Sequence, residues 1–268
     1  MRRPRLSLLL TTLAGIVTLA LATAPPASAA GANYVALGDS YSSGVGAGSY
    51  TASSGSCDRS TNAYPQLWAN THAPASFRSV ACSGATTVDV TNSQLSALSA
   101  STTLVSMSIG GNDVGFATVL EDCVIFGTST CVSEINAAEN QARAILPGRF
   151  DALYSAIHTR SPGARAVILG YPRFYDTSAW FCFGLSDTSH RKINEGADVL
   201  DGLAQAAAGR HGFAFGDVRS RFAAGHEICD GSSSWLHAVD FGDLGSSYHP
   251  TAAGQSGGYL PTFAAAAG

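Results

Sequence analysis

Residues 33–42 read Asn33-Tyr34-Val35-Ala36-Leu37-Gly38-Asp39-Ser40-Tyr41-Ser42, and the reading of this stretch decides the fold. Its apolar first half predicts a buried strand over Asn33–Leu37. Its second half sets Gly, Asp and Ser at the carboxyl end of that strand. These are ordinary turn residues, so a plain polar turn explains the stretch as well as a serine nucleophile held at the edge of a sheet. The rest of the chain separates the two readings.

Four other runs have the same character: Ser79–Cys82, Leu104–Ile109, Ala166–Tyr171 and Phe213–Val218. Near-continuous apolarity is the pattern of strands covered on both faces. Helix-length stretches separate them, at Ala63–Asn70, Val88–Leu98, Val132–Thr159 and Asp187–His211. In the last of these, Ile193, Ala197, Leu200, Leu203 and Ala204 recur at helical spacing. Ser161-Pro162 closes the third helix and Gly212 the fourth. This alternation predicts an α/β fold, a parallel sheet with helices on both faces. No linker or internal repeat divides the chain, so residues 30–268 are expected to form a single domain.

Residues 1–29 stand apart. Arg2, Arg3 and Arg5 precede the apolar stretch Leu6–Ala22, and Ala27-Ser28-Ala29 supplies a small-residue cleavage pattern. The stretch is short for a spanning helix and no charged stop follows it. It reads as a signal peptide removed before Ala30, which makes the protein secreted and extracellular.

The chain carries fifteen Lys and Arg against nineteen Asp and Glu, a formal charge of −4. Without the three leader arginines the balance is twelve against nineteen, or −7. Lys192 is the only lysine. Binding to nucleic acid needs clustered basic side chains, so no nucleic-acid partner is expected. The six cysteines, Cys57, Cys82, Cys123, Cys131, Cys182 and Cys229, form an even set in an exported chain and favour disulfides. Six cysteines allow fifteen pairings, of which the sequential one closes short to moderate loops. No C-x-x-C pair occurs, and His226-x-x-Cys229 lacks a second pair, so no metal site is expected.

In open α/β sheets, sites form outside the carboxyl ends of the strands. There the first predicted strand ends in Gly38-Asp39-Ser40, the second in Cys82-Ser83-Gly84 and the third in Gly110-Gly111-Asn112-Asp113. Far downstream, Tyr248-His249-Pro250-Thr251 precedes a last, Ala-rich helix. A serine hydroxyl is a weak nucleophile without a base, and His249, with an ordinary pKa near ~6.5, can serve as one. The Ser40 N–H, the Gly84 N–H (unhindered by a Cβ) and the Asn112 amide can converge on an oxyanion. Asp39 is read as bonding nearby backbone and holding the turn. Gly254-Gln255-Ser256-Gly257-Gly258 matches G-x-S-x-G formally, but no strand precedes it and an acid and a histidine cannot follow in order. Gly44-x-Gly46-x-Gly48 has the wrong spacing for a dinucleotide loop.

Taken together, GDSYS, the Gly84 neighbourhood, GGND and YHPT resemble the four blocks of the SGNH, or GDSL, hydrolase family, named for its Ser, Gly, Asn and His. Within it, YVALGDSYSSGVGAG, IGGNDVGFA and SYHPTAAGQSGGYLP are most similar to secreted lipases and phospholipases A1 of streptomycetes. The resemblance covers almost the whole chain beyond the leader. It implies a three-layer α/β/α sandwich with a flavodoxin-like central parallel sheet of about five strands, no cofactor or metal, and ester hydrolysis through an acyl-enzyme. Ser40 is then the nucleophile and His249 the base, with Ser40, Gly84 and Asn112 forming the oxyanion hole. It also implies three disulfides in sequential pairing, 57–82, 123–131 and 182–229.

One position departs from the family pattern. The last block usually reads Asp-x-x-His, whereas Ser246 stands three before His249 and the nearest acids, Asp240 and Asp243, lie six or more residues upstream. A backbone carbonyl of Ser246 or Ser247 is the expected substitute, fixing the imidazole tautomer in a Ser–His dyad. The substrate expected is a lipid or other acyl ester, hydrolysed by a monomer in transient contact with lipid surfaces. Val45, Phe116, Phe174, Tyr175 and Trp180 are candidates for an acyl groove, and Arg173 and Arg191 for a phosphate. Phospholipase A1 activity is the main alternative, ahead of a carbohydrate esterase, a glycosidase using Asp39 and Asp113, or a non-catalytic binding module.

Overall fold

The computed structural model describes residues 31–268. The leader and its cleavage site lie outside the described residues.

The opening stretch forms β1 (Asn33–Ala36), with Tyr34, Val35 and Ala36 buried. The other strands are β2 (Ser76–Ser79), β3 (Leu104–Met107), β4 (Arg165–Leu169) and β5 (Ala214–Gly216), all parallel, in the order β2-β1-β3-β4-β5. That order makes the gap between β1 and β3 the topological switch point, where such sheets open a crevice. β2 starts three residues before the predicted Ser79–Cys82. It is an edge strand with alternately exposed side chains, so it forms without an apolar run, recruited by β1 in the register Asn33↔Ser76 to Ala36↔Ser79. The predicted segment continues along β1 through Val80 N–H to the Ala36 carbonyl and Cys82 N–H to the Gly38 carbonyl.

The helices are α1 (Ser40–Ser43), α2 (Tyr64–His72), α3 (Thr87–Asp89), α4 (Phe116–Phe126), α5 (Thr128–Arg160), α6 (Asp187–Arg210), α7 (Arg219–Phe222) and α8 (Leu260–Ala267). In place of one regular helix over 88–98, α3 runs on as a π-turn and a 3-10 turn to Ala97. α4 has no counterpart in the sequence reading, because its β-branched and aromatic residues give it no clear helical stripe. α2 and α8 pack on one face of the sheet, where Tyr34 of β1 meets Trp68 and Phe263 at ring-centroid distances of 5.2 and 5.3 Å. α4, α5 and α6 pack together as the other layer. Disulfides join Cys57 to Cys82, Cys123 to Cys131 and Cys182 to Cys229. Lys192 of α6 is buried, its Nζ 2.8 Å from Glu139 Oε1 and 3.0 Å from Glu195 Oε2. Among the described residues, no helix is long and apolar enough to cross a membrane.

Candidate active site

The chain leaves β1 still bonded to β3, through Leu37 N–H to the Ser106 carbonyl and Asp39 N–H to the Ser108 carbonyl. Gly38 between them has φ +118°, and a Cβ there would run into the Ser108 carbonyl oxygen. Glycine is therefore required. Asp39 caps α1: its Oδ1 accepts from Tyr41 N–H at 3.0 Å and from Ser108 Oγ at 2.7 Å, and its Oδ2 accepts from Tyr171 Oη at 2.5 Å. Burial raises its carboxyl to about 6, against the lowering effect of those donors. The carboxyl is thus occupied in holding the turn that presents Ser40 as the first residue of α1.

His249 reaches the same point from the far end of the chain. Its Nε2 lies 2.7 Å from Ser40 Oγ, and its Nδ1 lies 3.1 Å from the Ser247 carbonyl. With Nδ1–H donating to that carbonyl, Nε2 carries the lone pair and accepts the Ser40 hydroxyl. Of the two expected orienters, only Ser247 is in this position. The Ser246 carbonyl accepts the His249 backbone N–H, and the Ser246 hydroxyl donates to the Asp243 carbonyl. The Ser247 carbonyl turns back onto the ring because Tyr248 adopts a left-handed conformation, φ +65°. Tyr248 is held there by Tyr41, whose hydroxyl donates to its carbonyl at 2.8 Å, and by Tyr175 Oη, 2.9 Å from its own hydroxyl. Burial, with a smaller contribution from nearby His237, lowers the His249 imidazole to about 4, although the Ser247 carbonyl acts in the raising direction.

Gly84 and Asn112 share with Ser40 and His249 the wall of one cavity of about 310 Å³. Gly84 has φ +76°, and Asn112 Nδ2 donates to the Ala85 carbonyl at 3.0 Å, which ties the Asn112 amide to the Gly84 loop. Neighbouring Asp113 accepts from Thr87 Oγ1 at 2.6 Å and Arg149 Nη1 at 2.7 Å. Both Asp39 and Asp113 are therefore engaged in fixing loops, which removes the carboxylate pair that a glycosidase reading needs.

The remaining wall is largely apolar, with Phe116, Leu120 and Ile125 of α4, Phe174 after β4, Leu200 of α6, and Phe241 and Leu244 from the loop before His249. Three residues expected in such a groove are elsewhere. Val45 is in the core, Tyr175 stacks on His190 at 4.1 Å, and Trp180 stands almost wholly in solvent. Arg173 is clamped by Asp198, with Nη2–Oδ2 at 2.8 Å, so its guanidinium is already paired. Ser256 of the false elbow is exposed on a π-turn and donates to the Ala253 carbonyl.

Two residues that position the site carry no signal in the sequence. Gln94 is buried and grips Gly38 on both sides, its Oε1 accepting the Gly38 N–H at 2.7 Å and its Nε2 donating to the Gly38 carbonyl at 2.9 Å. Gln255 bridges in the same way from the Tyr64 N–H to the Tyr41 carbonyl. Each is a polar side chain in a polar stretch, and only burial distinguishes it from a surface glutamine.

A parallel sheet with a serine and a histidine meeting at its switch point, over an apolar cavity, is the architecture of an α/β/α ester hydrolase. The GDSL-like lipase/acylhydrolase family matches residues 36–256. The chain is 53% identical over 271 residues to Lipase 1 of Streptomyces coelicolor, across 100% of both chains. The crystal structures of phospholipase A1 from Streptomyces albidoflavus NA297 and of an extracellular lipase from Streptomyces rimosus each superpose with a TM-score of 0.84 at 51% identity, covering 87% of this chain and 98% of theirs. The chain belongs to the GDSL-like lipase/acylhydrolase family and is a carboxylic ester hydrolase.

Proposed function

We propose that the protein is a secreted, monomeric hydrolase of lipid acyl esters that works through a Ser40–His249 dyad. The observation that carries this reading is the 2.7 Å contact of Ser40 Oγ with His249 Nε2 at the wall of an apolar cavity. Ser40 Oγ attacks the ester carbonyl carbon as its proton passes to His249 Nε2. The carbonyl oxygen becomes an oxyanion facing the N–H groups of Ser40 and Gly84 and the Asn112 amide, each such donor contributing roughly 2.7–4 kcal/mol to transition-state stabilisation. His249 then returns the proton to the alkoxide leaving group, and the C–O bond breaks to give an acyl-enzyme and an alcohol. Water repeats the sequence, its proton going to His249 and then to Ser40 Oγ as the fatty acid leaves. The Ser247 carbonyl holds the productive tautomer throughout. It carries only a partial charge, so the imidazolium is stabilised less than a carboxylate would stabilise it.

The apolar wall supports a fatty acyl chain over an acetyl group. The similarity to both a lipase and a phospholipase A1 supports glycerolipids as the class. Incubation with defined mixed-acyl triacylglycerols and phosphatidylcholines, followed by product analysis, tests the reading. Free fatty acid should be released, from the sn-1 position if phospholipase A1 activity is present. The Ser40→Ala variant should lose at least about a thousandfold in kcat. Undiminished turnover by that variant, or release of acetate but no longer acid, would overturn the proposal.

A further inference from the structure

Among the described residues, nine large apolar side chains are strongly exposed, and seven of them fall in only three segments. Ile125 and Phe126 form the tip of α4. Phe241 and Leu244 stand on the loop that leads to His249. Ile125, Phe241 and Leu244 belong to the cavity wall as well, so these two segments are its rim. The third segment is Trp180-Phe181-Cys182-Phe183, in which Trp180 is 99% and Phe183 90% exposed. It is joined to the rim at Thr128 Oγ1, two residues beyond Phe126, which lies 2.8 Å from Ser186 Oγ at the end of the aromatic loop. It is also anchored beneath, because Cys182 is bonded to Cys229 and Tyr175, at the loop's other end, bonds Tyr248 of the cavity wall. Three aromatic rings are thus held out in water on a tethered loop beside the mouth of the cavity. An apolar patch of this extent on a protein surface marks a contact, and an exposed Trp fits the interface between water and acyl chains.

The polar side chains of the same segments say what kind of surface. They carry Glu121, Asp122, Asp176, Asp240 and Asp243, and no Lys or Arg. Attraction to anionic headgroups relies on basic residues near the contact. We propose that Trp180, Phe181 and Phe183, with Ile125, Phe126, Phe241 and Leu244, form a docking face that inserts into a lipid surface of no net charge and holds the cavity mouth against it. The inference adds a recruitment step to the proposed lipid hydrolase and rests on that reading for its purpose. Its test is binding, which is independent of turnover.

The experiment uses the full mature chain carrying Ser40→Ala, so that lipid stays intact, with vesicles of phosphatidylcholine alone or with added phosphatidylglycerol. Trp68 is buried and Trp235 only partly exposed, so a change in emission on binding reports chiefly on Trp180. A blue shift with phosphatidylcholine vesicles, absent in Trp180→Phe, is expected. Phe126→Ser with Phe183→Ser should weaken vesicle binding at least tenfold. In the Ser40 background the same pair should leave hydrolysis of a water-soluble short-chain ester unchanged, which also verifies folding. Three results would overturn the proposal: no blue shift, binding that requires phosphatidylglycerol and disappears with salt, or a dimer that these substitutions convert to a monomer. Absence of soluble-ester turnover in the Ser40 protein would instead count against the hydrolase reading alone.

Discussion

At the scale of single residues, the proposed Ser40–His249 dyad would differ from a triad in having a main-chain orienter, and this has a direct mutational signature. The Ser246 hydroxyl faces the Asp243 carbonyl, and Ser247 Oγ accepts from the Asp240 N–H. Neither hydroxyl touches the imidazole. Replacing both serines with alanine should therefore reduce kcat by less than about threefold, whereas removal of an orienting carboxylate in a triad costs about ten-thousandfold. Steady-state kinetics on a soluble ester distinguishes the two cases. The pH profile follows from His249. The base must be neutral, and its pKa of about 4 keeps it so at any higher pH. The histidine limb of kcat/KM should therefore lie near pH 4 and not near the ordinary value of ~6.5, and an inflection near pH 6 would report the Asp39 carboxyl beneath the Ser40 turn. For stability the sign is the same. The unfolded chain takes up this proton near ~6.5 and the folded chain only near 4, so His249's contribution is full above 6.5 and is lost as the pH falls through 4. The convergence of Ser40, Gly84, Asn112 and His249 on one cavity was legible in the sequence because each sits in a short block beside a strand end or helix start. Gln94 and the left-handed Tyr248 were not, since burial and an unusual backbone angle leave no mark on residue type.

At the scale of elements, the Gly38 turn depends on a residue from α3's continuation rather than on its own sequence. Gln94→Ala would leave the buried Gly38 N–H without its partner, at a cost of about 1–3 kcal/mol. Thermal unfolding should reveal this as a fall of about 2–4 °C per kcal/mol, with kcat reduced because Ser40 lies two residues on. Alternation of apolar runs and helix-length stretches made β1, β3, β4, β5, α5 and α6 readable. β2 was read late because an edge strand reading Ser76-Phe77-Arg78-Ser79 offers no buried run, and the backbone of β1 sets its register. α4 escaped because residues such as Thr118, Val119, Val124 and Ile125 favour strands locally, and packing against α5 overrides that preference.

At the scale of the whole molecule, three disulfides brace the carboxyl edge of the sheet where the site lies. Cys57–Cys82 spans 25 residues and ends two positions before Gly84. Its closure stabilises by about 3.5 kcal/mol in the chain-entropy account. The Cys57→Ala, Cys82→Ala pair should therefore unfold at lower temperature and also lose kcat, as the Gly84 loop is released. A lower midpoint with unchanged kcat would show that this loop is positioned by Asn112 alone. The single lysine has a practical consequence. Its ammonium is enclosed by Glu139 and Glu195, so an amine-reactive resin finds one open nucleophile, the α-amino group. In a chain starting near Ala30 that group lies three residues before β1, and Ser40 follows the other end of that strand. Immobilisation through it would graft every molecule in one orientation, with the reacting edge turned toward the bulk liquid.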